Sequence, residues 1–127
     1  MEIEGIITSG TQKGQYFITQ DVYANKIKED LGFIPFAGTL NLLIEKENIK
    51  EIQNIREENG KVINGGENFG DISYIKATIS TYKNTINGAI VFPVKTQHPP
   101  EFLEFIAEEN IRKTLSVKDG DSVNLKI

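Results

Sequence analysis

Gly32-Phe33-Ile34-Pro35-Phe36-Ala37-Gly38-Thr39-Leu40-Asn41-Leu42-Leu43-Ile44 sets two glycines and a proline ahead of a run of β-formers that carries two oxygen-bearing side chains. Residues 39–44 read as a strand. Successive strand side chains point to opposite faces, so Thr39 and Asn41 share one face and Leu40 and Leu42 the other. The polar face offers a hydroxyl and a carboxamide oxygen about 7 Å apart, within reach of one small cation or one polar ligand group. Gly38 permits close approach of a backbone or a ligand. Taken alone, the stretch reads as an ordinary strand with a wet outer face.

Outward from this strand, the chain reads as many short elements. Residues 3–7 and 15–20 have strand character, with Thr8-Ser9-Gly10-Thr11-Gln12-Lys13-Gly14 as an oversized connection whose N–H groups can face an anion. That loop lacks the spacing of a Walker A motif. Asp21 is placed to cap a helix over residues 22–31, where Tyr23, Ile27 and Leu31 recur at a spacing of four and Gly32 stands at the C′ position. Beyond the central strand, Ile49, Ile52 and Ile55 recur at a spacing of three within the charged residues 45–58, compatible with a short surface helix or a turn. A brief strand follows at residues 61–63, then a glycine-bearing loop over 66–70 that lacks a dinucleotide fingerprint.

Residues 71–82 read as a strand of a strongly curved sheet, 84–88 as a turn, and 89–94 as an apolar strand that leaves pairing at Pro93. A helix is expected from Glu101, with Phe102, Leu103, Phe105 and Ile106 inward and Glu101, Glu104 and Glu108 on its solvated side. Residues 111–115 give one more helical turn, 117–122 a turn, and 123–127 a final strand. Six or more short strands with one or two helices imply a mainly β protein, a compact barrel with covering helices. An open doubly wound α/β sheet is disfavoured, since its strands would alternate with long helices.

The composition narrows the function classes. At 127 residues the chain makes one domain that buries roughly two-thirds of its unfolded surface. Fourteen basic against eighteen acidic residues give a net charge of −4, which offers no footprint for wrapping nucleic acid. With no cysteine, a disulfide framework, a thiolate nucleophile and a cysteine-based zinc site are excluded. No apolar run reaches the ~18 residues of a membrane span, and residues 1–5 lack the pattern of a signal peptide, so a cytoplasmic protein without a membrane partner is expected.

Three separated segments together resemble the CTP-dependent riboflavin kinases of archaea. They are Gly32-Phe33 through Gly38-Thr39-Leu40-Asn41-Leu42; Gly88-Ala89-Ile90-Val91-Phe92-Pro93 with Lys95-Thr96-Gln97-His98; and Ile111-Arg112 followed by Lys118-Asp119-Gly120-Asp121. The resemblance implies a six-stranded cradle-loop (RIFT-type) β-barrel. It also implies transfer of the terminal phosphoryl of CTP to the 5′-hydroxyl of riboflavin, giving FMN and CDP with Mg²⁺ as cofactor, and a monomer is expected.

By the same resemblance Thr39 and Asn41 match magnesium ligands, and Thr96 and Glu104 match flavin contacts. Gly10, Thr11, Gln12, Lys13, Gly14 and Gln15 match the nucleotide loop, and Asn110, Ile111, Arg112 and Lys113 the segment facing it. The loop departs from the family pattern, which has more glycine and a basic residue at its end; Lys13 or backbone N–H groups are left to meet the phosphates. Phosphoryl transfer asks mainly for alignment and charge neutralisation. Asn41 and Glu104 are therefore the expected catalytic groups, Glu104 as an orienting group rather than a base. His98, the lone histidine, is left outside the catalytic set. Two rival classes remain: a barrel that binds flavin or nucleotide without catalysis, and a transcriptional regulator on a related barrel, which the acidic balance disfavours.

Overall fold

A computed structural model describes residues 1–9, 21–36, 39–63, 71–93 and 100–127. Seven strands form one antiparallel sheet: β1 (Glu2–Thr8), β2 (Leu40–Ile44), β3 (Lys61–Ile63), β4 (Ile72–Ser80), β5 (Thr85–Pro93), β6 (Phe102–Ala107) and β7 (Ser122–Lys126). Their order is β3-β4-β5-β6-β2-β1-β7, and β7 pairs back onto β4. Six strands thus close into a barrel, as expected, and β3 hangs from the start of β4 through Lys61 opposite Tyr74. Closure leaves the six barrel strands with no free edge.

Alternation along the strands divides the apolar residues into two cores. Leu40, Leu42 and Ile44 of β2, Ile75, Ala77 and Ile79 of β4, Leu103 and Phe105 of β6 and Leu125 of β7 fill the barrel. Ile72, Tyr74, Ala89, Val91 and Ile106 point outward from the same strands and form a second core with Tyr23 and Ile27. Those two residues belong to helix α1 (Asp21–Leu31), which the four-residue apolar spacing foreshadows. Gly32 ends it with a φ of 83°, its N–H bonding the Lys28 carbonyl at 2.9 Å. Only a residue without a Cβ takes that left-handed conformation at little cost.

Helix α2 (Ile49–Asn59) follows a 3₁₀ turn at Lys46–Asn48 and buries Ile52. Helix α3 (Ile111–Leu115) buries Ile111 and Leu115. One follows the Ile44 end of β2 and the other the Ala107 end of β6; because Leu43 pairs with Phe102, the two helices close opposite ends of the barrel.

Two expectations are corrected. Residues 102–107 form strand β6, not a helix. Both faces of this strand are covered, the inner by the barrel core and the outer by the second core, so Phe102-Leu103-Glu104-Phe105-Ile106-Ala107 loses the alternation that marks a one-sided strand. Asn87 and Gly88 also lie inside β5 rather than in a turn, which falls earlier, where the Thr81 N–H bonds the Asn84 carbonyl at 3.0 Å. Gly88 is needed for approach: a Cβ there would lie 2.1 Å from the Ile106 carbonyl oxygen. The expected strand at 15–20, the loop at 66–70, Gly38 and His98 lie outside the described residues. Among the described residues, no helix is long and apolar enough to cross a membrane.

Candidate active site

Sheet register places the polar residues of the central strand. Leu40, Leu42 and Ile44 are buried in the barrel, which turns Asn41 to the outer wall, with Thr39 just ahead of the strand. On one side Asn41 stands opposite Glu104 of β6, and on the other opposite Thr8 of β1. Glu104 in turn faces Val91, and Val91 faces Tyr74. Residues directly opposite in a sheet share a face, so Thr8, Asn41, Glu104, Val91 and Tyr74 form one row across the outer wall. Its Tyr74 end is apolar and covered by α1. Its Thr8 end is polar.

Glu104 is only 4 % exposed and is the buried charged residue among those described. Leu103 and Phe105 fill the barrel on either side of it, which fixes its outward direction. A carboxylate at such depth needs hydrogen bonds to offset its lost hydration, and the Thr39 hydroxyl donates one to Oε1 at 3.1 Å. A hydroxyl, a carboxamide and a carboxylate from two adjacent strands thereby converge.

Beside them lies a cleft of about 250 Å³, lined by Phe36, Thr39, Glu109, Asn110, Ile111 and Arg112 among others. The segment before β2 forms its rim, seated by the Phe36 N–H on the Ala107 carbonyl at 2.8 Å. The opposite wall is α3. The Asn110 side chain caps it by accepting from the Lys113 N–H at 3.3 Å, and Ile111 and Leu115 anchor it in the barrel core. Arg112 is left on the outside. Its Nη2 donates to Asp119 Oδ1 at 2.6 Å and to the Thr8 carbonyl at 3.3 Å. Ser9 Oγ donates to the other Asp119 oxygen. The Ser9 hydroxyl and then the Arg112 guanidinium hold the Asp119 carboxyl below its ordinary range.

The structure brings together most of the described residues singled out from the sequence. Thr39, Asn41 and Glu104 stand side by side, and Thr39 shares the cleft with Asn110, Ile111 and Arg112. Ile111 contributes chiefly as buried wall. Lys113 does not line the cleft; its side chain is exposed and its N–H is engaged by the Asn110 cap. Gly10, Thr11, Gln12, Lys13, Gly14, Gln15 and Thr96 lie outside the described residues. Glu104 occupies a buried strand position instead of the solvated helix face first read for it.

Sequence reasoning put Thr8 and Ser9 in the anion-facing connection but not beside Asn41 and Asp119, missed Phe36 as a neighbour of the site, and gave Asp119 no role in it. Only pairing across strands puts Thr8 beside Asn41. The signal available for Asp119 was its place in Lys118-Asp119-Gly120-Asp121, a tight turn with a hydrogen-bonding acid beside a glycine.

These features define a small closed β-barrel with a ligand-sized cleft beside α3, floored by the core residues Leu40, Phe105 and Ala107 and edged by Thr39, Glu109, Asn110 and Arg112. A family model named for CTP-dependent riboflavin kinase, and described as a domain of unknown function, DUF120, matches residues 7–127. A riboflavin kinase of Methanobrevibacter smithii is 40% identical over 126 residues, covering 99% of each chain. That of Methanothermobacter thermautotrophicus is 47% identical over 119 residues, covering 94% of this chain and 93% of its own. The Methanosphaera stadtmanae enzyme is 40% identical over 129 residues, covering 100% of this chain and 98% of its own. The chain belongs to the archaeal family of CTP-dependent riboflavin kinases.

Proposed function

We propose that the protein transfers the γ-phosphoryl group of CTP to the 5′-hydroxyl of riboflavin, in the presence of Mg²⁺, to give FMN and CDP. The hydroxyl oxygen forms the new bond to phosphorus as the bond to the β,γ-bridging oxygen breaks, and the hydroxyl proton is released. The observation that carries this reading is the pairing of Asn41 with Glu104, which accepts from Thr39, itself a residue of the cleft that Arg112 also lines. An acceptor alcohol and an anionic donor need such adjoining surfaces, one rich in hydrogen-bonding oxygen and one cationic. CTP rather than another nucleotide follows from the family's name.

The donor set suits Mg²⁺, a hard cation that takes oxygen ligands and keeps several waters. Thr39 and Asn41 would hold it with uncharged oxygens. Among the described residues no three His, Cys, Asp or Glu side chains gather into a metal cluster, so the ion would arrive with the nucleotide phosphates. When bound, it would neutralise charge on the transferring phosphoryl group. Glu104 and Thr96 would hold the flavin, Glu104 accepting from a ribityl hydroxyl and so aligning it. Residues 10–15 would cover the phosphates from the side opposite Asn110, Ile111, Arg112 and Lys113. A cytoplasmic monomer working on these small molecules alone completes the reading.

Incubating the purified protein with riboflavin and Mg²⁺, with CTP or ATP in parallel and with chelator controls, tests it by chromatography of FMN. The expected result is FMN from CTP in clear excess over ATP, abolished by chelation. Absence of FMN with every nucleotide, from protein shown to be folded, would leave a flavin- or nucleotide-binding barrel without catalysis.

A further inference from the structure

The turn at residues 118–121 belongs to neither core, and the proposed reaction gives it no work, yet four hydrogen bonds fasten it to β1, Ser9 and Arg112. The Gly120 N–H bonds the Ile7 carbonyl at 2.8 Å, and the Ile7 N–H bonds the Asp121 carbonyl at 2.9 Å. The Lys118 N–H bonds the Asp121 carboxylate at 2.9 Å, closing the turn on itself. Gly120 takes a φ of 91° there, a left-handed conformation that glycine adopts at little cost. Asp119 thereby stands over the end of β1, where its two carboxylate oxygens take Arg112 on one side and Ser9 on the other.

A surface ion pair of this exposure, with side chains 40% and 50% exposed, contributes little to stability. What it does fix is direction. The guanidinium is a planar fork of five N–H donors, and Nη2 is tied to Asp119 and to the Thr8 carbonyl. Two bonds from one nitrogen thereby hold the guanidinium of a residue that lines the cleft.

We propose that Asp119, braced by the Ser9 hydroxyl, is a positioning residue for nucleotide binding: it holds the Arg112 guanidinium toward the nucleotide phosphates. This rests on the phosphoryl-transfer reading, in which Arg112 contacts the nucleotide. Preorganising a long, rotamer-rich side chain removes an ordering cost from binding. The benefit should therefore fall on the nucleotide and spare the flavin.

The test measures dissociation constants of the full chain for CTP with Mg²⁺ by calorimetry, and for riboflavin by fluorescence quenching, alongside thermal midpoints. Asp119→Ala is expected to weaken CTP about tenfold, with riboflavin affinity and midpoint held. Asp119→Asn keeps an oxygen for Arg112 but cannot accept from Ser9 through its amide nitrogen, so its loss should be smaller, as should that of Ser9→Ala. In an Arg112→Ala background, Asp119→Ala should add almost nothing, because its effect passes through the arginine. CTP affinity unchanged in Asp119→Ala, the same further loss in the Arg112→Ala background, or an equal loss for both ligands with a lowered midpoint would each overturn the proposal. Folded wild-type protein that fails to bind CTP would overturn the phosphoryl-transfer reading along with it.

Discussion

On the β2–β6 side of the cleft, Asn41 and Glu104 face each other because their strands pair at that register; on the α3 side, Arg112 is aimed by an exposed carboxylate in a turn seven residues later. The first arrangement is inseparable from barrel closure, since moving Asn41 relative to Glu104 by one residue would turn Leu40 and Leu42 out of the core. The second depends on side chains that can be altered while both cores stay intact. One half of the site should therefore fail together with the fold, the other independently of it.

The largest effect is expected where register itself is attacked. A Cβ at Gly88 would meet the Ile106 carbonyl oxygen at 2.1 Å and a Phe105 ring carbon at 2.6 Å. Since β5 and β6 must part there, Gly88→Ala should lower stability by about 3 kcal/mol, read by urea melts, and FMN formation should fall in step with the folded fraction. A variant that melts like the wild type would mean that the strand pair beside Glu104 is loose, and the contrast between the two walls would lose its basis.

Next in size is Asn41→Ala. Asn41 projects from the wall outside the core, so its removal should leave the melting transition nearly unchanged while turnover falls about a hundredfold, the usual loss for a preorganised polar group at a reacting centre. Near-normal turnover would remove Asn41 from the chemistry and place the work on the α3 side.

The difference between the walls also explains what could be read in the sequence. Leu40, Asn41 and Leu42 alternate cleanly, so the inward and outward faces of β2 were legible from period alone. Tyr23, Ile27 and Leu31 likewise announced α1; a compact barrel was foreseen from the number of short strands, and its six strands from the family resemblance. β6 was not legible. A strand covered on both faces carries no period, and Glu104 with the flanking Glu101 and Glu108, at spacings of three and four, imitated a helix surface. Gly88 was misread because glycine serves turns and close approaches equally well. Contacts such as Thr8 with Asn41, or Ser9 with Asp119 across 110 residues, arise from topology, and no local pattern encodes them.

The smallest effect concerns the covered end of the row that holds Asn41 and Glu104. Tyr74 Oη donates to Asp30 Oδ2 at 3.1 Å, tying β4 to α1. Tyr74→Phe should cost about 1 kcal/mol at neutral pH, the net worth of one hydrogen bond; Asp30 is exposed and recovers water. The pH dependence sharpens the point. Burial first, then the Asp30 bond and charge, push the Tyr74 hydroxyl from its ordinary 10.0 up to about 12. Above pH 10 the unfolded chain gives up this proton before the folded one does, so the stabilisation present below pH 10 is lost as pH rises toward 12. Tyr23 is raised as well, by burial and then by the charge of Asp71, so the difference between wild type and Tyr74→Phe, rather than the wild-type curve alone, isolates Tyr74. Urea melts at pH 7, 10 and 11 should show the wild type losing its advantage over Tyr74→Phe across that window, with riboflavin affinity at pH 7 the same in both. A constant difference would show that Tyr74 titrates as it does in water, and that α1 does not seal the outer wall of the barrel at that end.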